Sequence, residues 1–273
     1  GNVRFFNAIL GLLIMMTLNT VAVAAAERSE DSRFDQVHLD VSLSTSELTL
    51  KGELKQGSLI VGKTLPGSSV SLNEQMLKVT SGGLFVFGFH RDAPAQQVLT
   101  VTGADGKTSR HDLNIIARQY AIQYIEGIPK KIMQPSNKDL QRIRREIAMV
   151  RKARTVDSDQ LAFSEPFIWP TQGPITGVYG SQRYYNGEPR RPHYGIDIAA
   201  ATGTDVVAPA SGIITLIHPD MFYSGGTIIM DHGFGISSTF IHLSEVLVSE
   251  GQPVKQGDVI GKVGQSGGST GPH

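Results

Sequence analysis

Two residues near the end of the chain, His193 and Asp197, are of the types that bind a divalent metal ion. Positions i and i+4 project to the same side of either a helix or a strand, so the two side chains could share a ligand. In a fully extended strand they would lie about 13 Å apart, whereas two ligands of one zinc ion each approach it to about 2 Å. The backbone must therefore bend between them. Gly195 would permit that bend, and Pro192 stiffens the chain just before it.

Three more histidines, His232, His242 and His273, follow in a glycine-rich context. Catalytic zinc uses about three protein ligands and keeps one position open for water. The sequence contains no cysteine, which excludes disulfides and cysteine-bound zinc and leaves His, Asp and Glu as ligands. A histidine near the metal could take the proton of that water or hydrogen-bond the developing oxyanion. Spacing alone leaves open that these are unrelated surface histidines.

The segments that contain these residues are predicted to be short strands. From Phe163 onward, glycines interrupt β-branched and apolar runs, which predicts an all-β domain. Residues 203–213 and 251–260 share a rough plan that suggests a duplicated hairpin. We therefore expect a C-terminal β domain over residues 163–273.

Residues 37–118 alternate apolar and polar side chains in short runs separated by Pro-Gly, Gly-Gly and Asp-Gly pairs, which predicts a small N-terminal β-sandwich. No cluster of catalytic residue types falls there, so we expect a binding or spacer module. The linker, residues 119–162, contains one predicted amphipathic helix, 136–154, with a capping signal at Ser136 and Asp139. Its basic face could meet anionic envelope polymer or lipid headgroups, or be simply solvated.

The first 26 residues have the order of a secretory signal peptide: Arg4, an apolar run, then small residues at an Ala-x-Ala site. An uncleaved membrane anchor is the alternative, although the apolar run is shorter than the ~20 residues of a membrane span. Lys+Arg 25 and Asp+Glu 25 balance, so no bulk field would attract nucleic acid, and we expect no nucleic-acid partner. We expect an exported protein whose contact with the membrane is limited to the signal segment before cleavage.

The stretch from Trp169 to His273 resembles the lysostaphin- and LytM-like family of zinc metallopeptidases. The resemblance covers the whole C-terminal domain and rests on several motifs together: Gly177–Gly180, His193–Ala199, Val207–Gly212, Ile241–Ser244 and Ser269–His273.

The resemblance implies a duplicated-hybrid-motif fold and one zinc ion per chain. Carried over residue by residue, it makes His193 and Asp197 zinc ligands, His242 the residue that helps polarise water and stabilise the oxyanion, and His273 the general base. The third ligand would be a histidine two residues beyond His273. Because the chain starts at Gly1 and stops inside this motif, we expect the sequence to be clipped at both ends and, as written, to bind zinc poorly.

The resemblance further implies a peptidoglycan endopeptidase acting on stem peptides, with D,D-endopeptidase activity, in the periplasm or cell envelope of a Gram-negative bacterium. Possible envelope partner proteins follow from the same resemblance. An alternative is an inactive relative that binds the cell wall and activates an amidase, although such relatives usually replace the equivalents of His193 or Asp197. A lipoyl- or biotinyl-carrier hairpin at 254–261 is a third possibility, but it lacks the motif around a cofactor-bearing lysine.

Overall fold

The computed structural model describes residues 30–273 and is mainly β. The predicted signal segment, residues 1–26, lies outside the described residues. The described chain forms two compact units. The first contains residues 30–53, 60–87 and 97–113, and the second contains residues 54–59, 88–96 and 114–273.

The first unit is built from two four-stranded sheets, as the predicted β-sandwich requires, with strand orders β1-β2-β3-β6 and β5-β4-β7-β8. The period-2 pattern is clearest in β7, where Gln97, Leu99 and Val101 are buried and the residues between them are not. The strands are β1 Val41–Ser44, β2 Leu48–Lys51, β3 Leu59–Thr64, β4 Ser69–Leu72, β5 Gln75–Met76, β6 Leu84–Gly88, β7 Gln96–Thr102 and β8 Thr108–Asn114.

A six-stranded antiparallel sheet, in the order β14-β19-β17-β16-β15-β18, forms the centre of the second unit. Its strands are β14 Asp205–Val207, β15 Gly212–Met221, β16 Gly225–Asp231, β17 Ser237–Val246, β18 Pro253–Val254 and β19 Val259–Val263. The two stretches suggested as a hairpin repeat pair with each other. Strand β14 of the first stretch pairs with β19, and β15 pairs with β18 of the second stretch. Ile228, Met230 and Ile260 are fully buried in the core of this sheet.

Two smaller sheets complete the β structure of this unit. One contains β10 Ile175–Gly177 and β13 Asp197–Ile198, and the other has the order β12-β11-β9, with β9 Ile122–Ile125, β11 Gln182–Tyr185 and β12 Glu188–Pro189. The strand β9, which belongs to the predicted linker, pairs in parallel with β11.

The linker helix forms where the sequence predicts it. A short helix α1, Lys130–Met133, precedes α2, Asn137–Arg154, and a 3-10 turn follows at Ala162–Ser164. The Ser136 side chain accepts the backbone N–H of Asp139 at 3.1 Å, which is half of the predicted capping box. Along α2, Val150 and Ala153 pack against Leu216 and Ile229 of the large sheet, so the helix is part of the second unit. No helix among residues 30–273 is long and apolar enough to cross a membrane.

Candidate active site

The pairing of β10 with β13 places the carboxylate of Asp197. Gly177 lies opposite Asp197 in this antiparallel pair. A Cβ atom at Gly177 would lie only 2.3 Å from Asp197 Oδ2, a separation that real Cβ atoms essentially never show. The glycine therefore provides the space that the carboxylate occupies.

His193 and Asp197 meet as their spacing predicts, with Nε2 of the histidine 3.1 Å from Oδ1 of the aspartate. His193 Nδ1 lies 3.2 Å from the carbonyl oxygen of Val178. Because a carbonyl can only accept, Nδ1 carries a hydrogen, and Nε2 is the nitrogen that faces Asp197. The chain bends at Gly195, but a Cβ there would meet only His193 Nε2, at 3.7 Å, so the bend does not require glycine.

Arg183 holds the other oxygen of Asp197. Its Nη2 donates to Asp197 Oδ2 at 2.5 Å, and its Nε donates to Gln123 Oε1 of β9 at 3.2 Å. Burial acts to raise the pKa of Asp197, but the hydrogen bond to His193 and the charges of His193, Arg183 and His273 outweigh it and lower the pKa to about 2. The carboxylate is therefore ionised at neutral pH, with Oδ2 occupied by Arg183 and Oδ1 facing the histidines.

A β-bulge sets the position of His242. Between Phe240 and Leu243, two residues of β17 lie opposite the single residue Thr227 of β16. His242 is one of the two, and its φ of 62° is in the left-handed region that residues with a Cβ seldom adopt. Bulges of this kind redirect a side chain from the regular alternation of the strand.

The imidazole of His242 is anchored through one nitrogen. Its Nδ1 lies 2.7 Å from the carbonyl oxygen of Ser266, so Nδ1 donates and Nε2 is left as an acceptor. Burial lowers the pKa of His242 to about 4, although the hydrogen bond to Ser266 opposes this effect. His242 is thus neutral at pH 7, and its ring centre lies 4.8 Å from that of His273.

His273 repeats the same arrangement. Its Nδ1 lies 2.8 Å from the carbonyl oxygen of Gly271, and its Nε2 lies 3.8 Å from Asp197 Oδ1. The structure therefore brings together all four residues that the sequence singles out, His193, Asp197, His242 and His273. In each of the three imidazoles, Nδ1 is bonded to a main-chain carbonyl, so Nε2 is the nitrogen left for other partners, and in His193 it faces Asp197.

His232, the other histidine in the glycine-rich region, is held by hydrogen bonds inside the protein. It is fully buried, and its two ring nitrogens lie 2.7 Å from the carbonyl oxygen of Ser211 and 2.7 Å from the hydroxyl of Ser238. Neither nitrogen is available to a ligand without loss of a hydrogen bond.

Sequence reasoning missed a hydrogen-bonded support that runs from α2 to His242. The Glu146 carboxylate accepts the backbone N–H of Phe222 at 3.0 and 3.1 Å and pairs with Arg142 at 2.8 Å. Phe222 begins the turn that ends at Ser224, whose carbonyl accepts the backbone N–H of His242 at 2.7 Å. The available signal was an acidic residue, Glu146, on the apolar side of an amphipathic helix. Arg183 and Ser266 gave no such signal.

The donor atoms fit two ligands of one zinc ion. Two atoms bound to zinc at about 2.0–2.2 Å with a tetrahedral angle lie roughly 3.4 Å apart, close to the 3.1 Å between His193 Nε2 and Asp197 Oδ1. Within residues 30–273, no group of three or more His, Asp or Glu side chains has the arrangement of a complete metal site. Among the described residues, these two donor atoms therefore have about the separation expected of two zinc ligands.

The C-terminal part of the chain is similar to known peptidases. Residues 191–273 match the model of Peptidase family M23. The chain is 36% identical over 99 residues to "Peptidoglycan DD-endopeptidase ShyA" of Vibrio cholerae, covering 32% of this chain and 22% of that protein. It is 45% identical over 109 residues to "DD-carboxypeptidase/endopeptidase Mpg" of Neisseria meningitidis serogroup B, covering 40% of this chain and 24% of that protein. The chain thus spans less than a quarter of the length of these curated relatives.

A solved structure resembles most of the chain. The crystal structure of a Pseudomonas aeruginosa protein described as an M23 peptidase matches with a TM-score of 0.61 and 29% identity, over 81% of this chain and 87% of that one. The match therefore includes the region before residue 191 as well as the family domain. Together with the motifs and the fold, these comparisons show that residues 191–273 of this chain are a domain of peptidase family M23, of the lysostaphin- and LytM-like kind.

Proposed function

We propose that this chain is a zinc-dependent endopeptidase that hydrolyses peptide cross-links of bacterial peptidoglycan, with D,D-endopeptidase specificity, in the cell envelope. The names of the V. cholerae and N. meningitidis relatives support the substrate class and, through it, the location. The proposal extends to stem peptides as the molecules that the site binds.

The observation that carries the proposal is the grouping of three imidazoles, each held through Nδ1 by a main-chain carbonyl, next to Asp197. His193 and His273 direct Nε2 toward Asp197 Oδ1, at 3.1 and 3.8 Å, and the ring of His242 lies 4.8 Å from that of His273, tilted by 56°. A purely structural cluster would not need every Nδ1 bonded to a main-chain carbonyl with every Nε2 left for partners other than the main chain. Histidines that bind or serve a metal have this arrangement, because the outer hydrogen bond fixes the tautomer.

In this proposal His193 Nε2 and Asp197 Oδ1 hold zinc, with a third ligand beyond His273 as the family resemblance implies. Zinc, when bound, would acidify a water molecule and polarise the peptide carbonyl. Arg183 occupies Oδ2, so that only Oδ1 faces the site, and together with His193 it lowers the pKa of Asp197.

His273 Nε2 is a free acceptor and would take a proton from the attacking water. His242 is neutral, so its Nε2 would first orient that water by accepting its hydrogen. It could donate to the oxyanion only after gaining a proton, and its low pKa would then make it a strong donor. The stabilisation of the oxyanion that the family resemblance suggested for His242 therefore requires that His242 first gain a proton.

The test is zinc content together with peptidoglycan cleavage by the full-length protein, purified without chelator and analysed by mass spectrometry. About one zinc per chain and new stem-peptide ends are expected. His193→Ala should lose both, whereas His38→Ala, a change at an exposed histidine of the first unit, should lose neither. A folded, zinc-free and inert protein would contradict the proposal and favour the amidase-activator alternative.

A further inference from the structure

A cleft of about 440 Å³ lies directly beside His193 and Asp197. It is lined by residues of α2, including Ile147 and Arg154, and by Ile241 of β17. Ile147 and Ile241 are 48% and 40% exposed, which leaves apolar surface open to a ligand. The wall that α2 supplies precedes the family domain, which begins at residue 191.

Arg154, the last residue of α2, is the most informative side chain in this cleft. Its Nη2 donates to the hydroxyl of Thr239 at 3.0 Å, which directs the guanidinium toward β17. The pKa of Arg154 is lowered by the atoms packed around it, although the residue as a whole is exposed to solvent. No carboxylate of residues 30–273 forms an ion pair with it within 4.0 Å. A guanidinium that is oriented by a hydrogen bond, lines a cleft and has no counter-ion is available to bind an anion.

The charged groups of the cleft that have no ion-pair partner among the described residues are positive. Arg191 also lines the cleft, and it too forms no ion pair in the part of the chain that the structure describes. The two carboxylates are already engaged. Glu146 binds Arg142 and a backbone N–H, and Asp197 binds Arg183. An incoming anion would therefore meet guanidinium groups and apolar walls, without repulsion from a free carboxylate.

We propose that this cleft is a substrate subsite that binds a carboxylate of the peptide, with Arg154 as its hydrogen-bonding partner. The inference rests on the proposed function and specifies the chemistry of its substrate. Thr239, which orients Arg154, lies three residues before His242 on β17, roughly 10 Å along the strand. An extended peptide spans that distance in about three residues. The recognised carboxylate would thus lie two or three residues from the bond that is cut.

The test uses the full-length protein and two synthetic stem-peptide substrates that differ only in whether the carboxyl group at that distance is free or amidated. Arg154→Met removes the guanidinium and retains much of its apolar stem. Arg145→Met is the matched control, because Arg145 is exposed and lies about 180° around the same helix. A charge-assisted hydrogen bond predicts that amidation lowers kcat/KM by about 10- to 100-fold. Arg154→Met should lower kcat/KM for the free acid by the same factor as amidation does, mainly by raising KM. The same variant should change kcat/KM for the amide little. Arg145→Met should leave kcat/KM unchanged for both peptides.

Equal cleavage of the two peptides by the unmodified protein would overturn the subsite, as would an Arg154→Met effect of the same size on both. Binding of the same peptides to chelator-treated protein, followed by calorimetry, gives a second readout without turnover. An inactive protein that still prefers the free acid through Arg154 would refute the proposed function and retain the subsite. An active protein without that preference would refute the subsite and retain the proposed function. Thermal unfolding of both variants checks that the loss of the Thr239 contact has not unfolded the chain.

Discussion

Replacing His242 by Asn and by Ala separates the effect of its backbone from that of its imidazole. The residue has a φ of 62°, a conformation that costs about 1–2 kcal/mol for most residues with a Cβ but that Asn tolerates well. Ala lacks this tolerance and also loses the hydrogen bond to Ser266, so we expect its free energy of unfolding to fall by about 2 kcal/mol. At pH 7 the Asn variant should be nearly as stable as the unmodified protein.

The pH dependence of stability tests the buried, neutral state of His242 directly. Its pKa is about 4 in the folded chain against 6.5 when unperturbed. Between these values the unfolded chain binds a proton that the folded chain does not, so the free energy of unfolding falls as pH decreases from 6.5 to 4. The full difference corresponds to on the order of 3 kcal/mol. Above pH 6.5 and below pH 4, the contribution of His242 should be constant.

Urea denaturation of the zinc-free protein at several pH values between 4 and 8 measures this contribution as the difference between unmodified protein and His242→Asn. His232, whose pKa burial also lowers, is present in both and cancels. Hydrolysis by the zinc-loaded Asn variant should fall by about 10²- to 10⁴-fold with zinc retained. A stability difference that does not change with pH would refute the argument for a buried neutral imidazole. Loss of zinc from the Asn variant would show that His242 is a ligand.

Two further substitutions test the support of the site. Gly177→Ala should lower zinc affinity by about 10- to 100-fold in a metal titration, because its Cβ would displace the Asp197 carboxylate, whereas Gly195→Ala has the space for a Cβ and should not. Glu146→Gln should lower the free energy of unfolding by about 1–3 kcal/mol in urea and reduce hydrolysis without loss of zinc, because the Phe222 turn is held by the carboxylate; unchanged stability and activity would show that this support is dispensable.

The sequence determined the strand-rich domains and the linker helix because their signals are local. Alternation in strands such as β7 and helical spacing from Leu140 to Val150 each follow from the geometry of one element. The His193–Asp197 pair was also accessible, since residues four apart have few ways to meet. The grouping of His242 and His273 with them required the family resemblance, because no local rule relates residues so distant in sequence.

Tertiary structure decided what those residues can do. The orientation of His242 depends on a bulge in β17 and on the carbonyl of Ser266, and neither the register of a sheet nor a main-chain acceptor is encoded by residue type. The same holds for Arg183 of β11, whose bond to Asp197 of β13 joins two different sheets, and for Arg154, which reaches the cleft because α2 packs on the large sheet. Residue types thus indicated which groups could take part in chemistry, whereas long-range packing determined their tautomers, charges and neighbours.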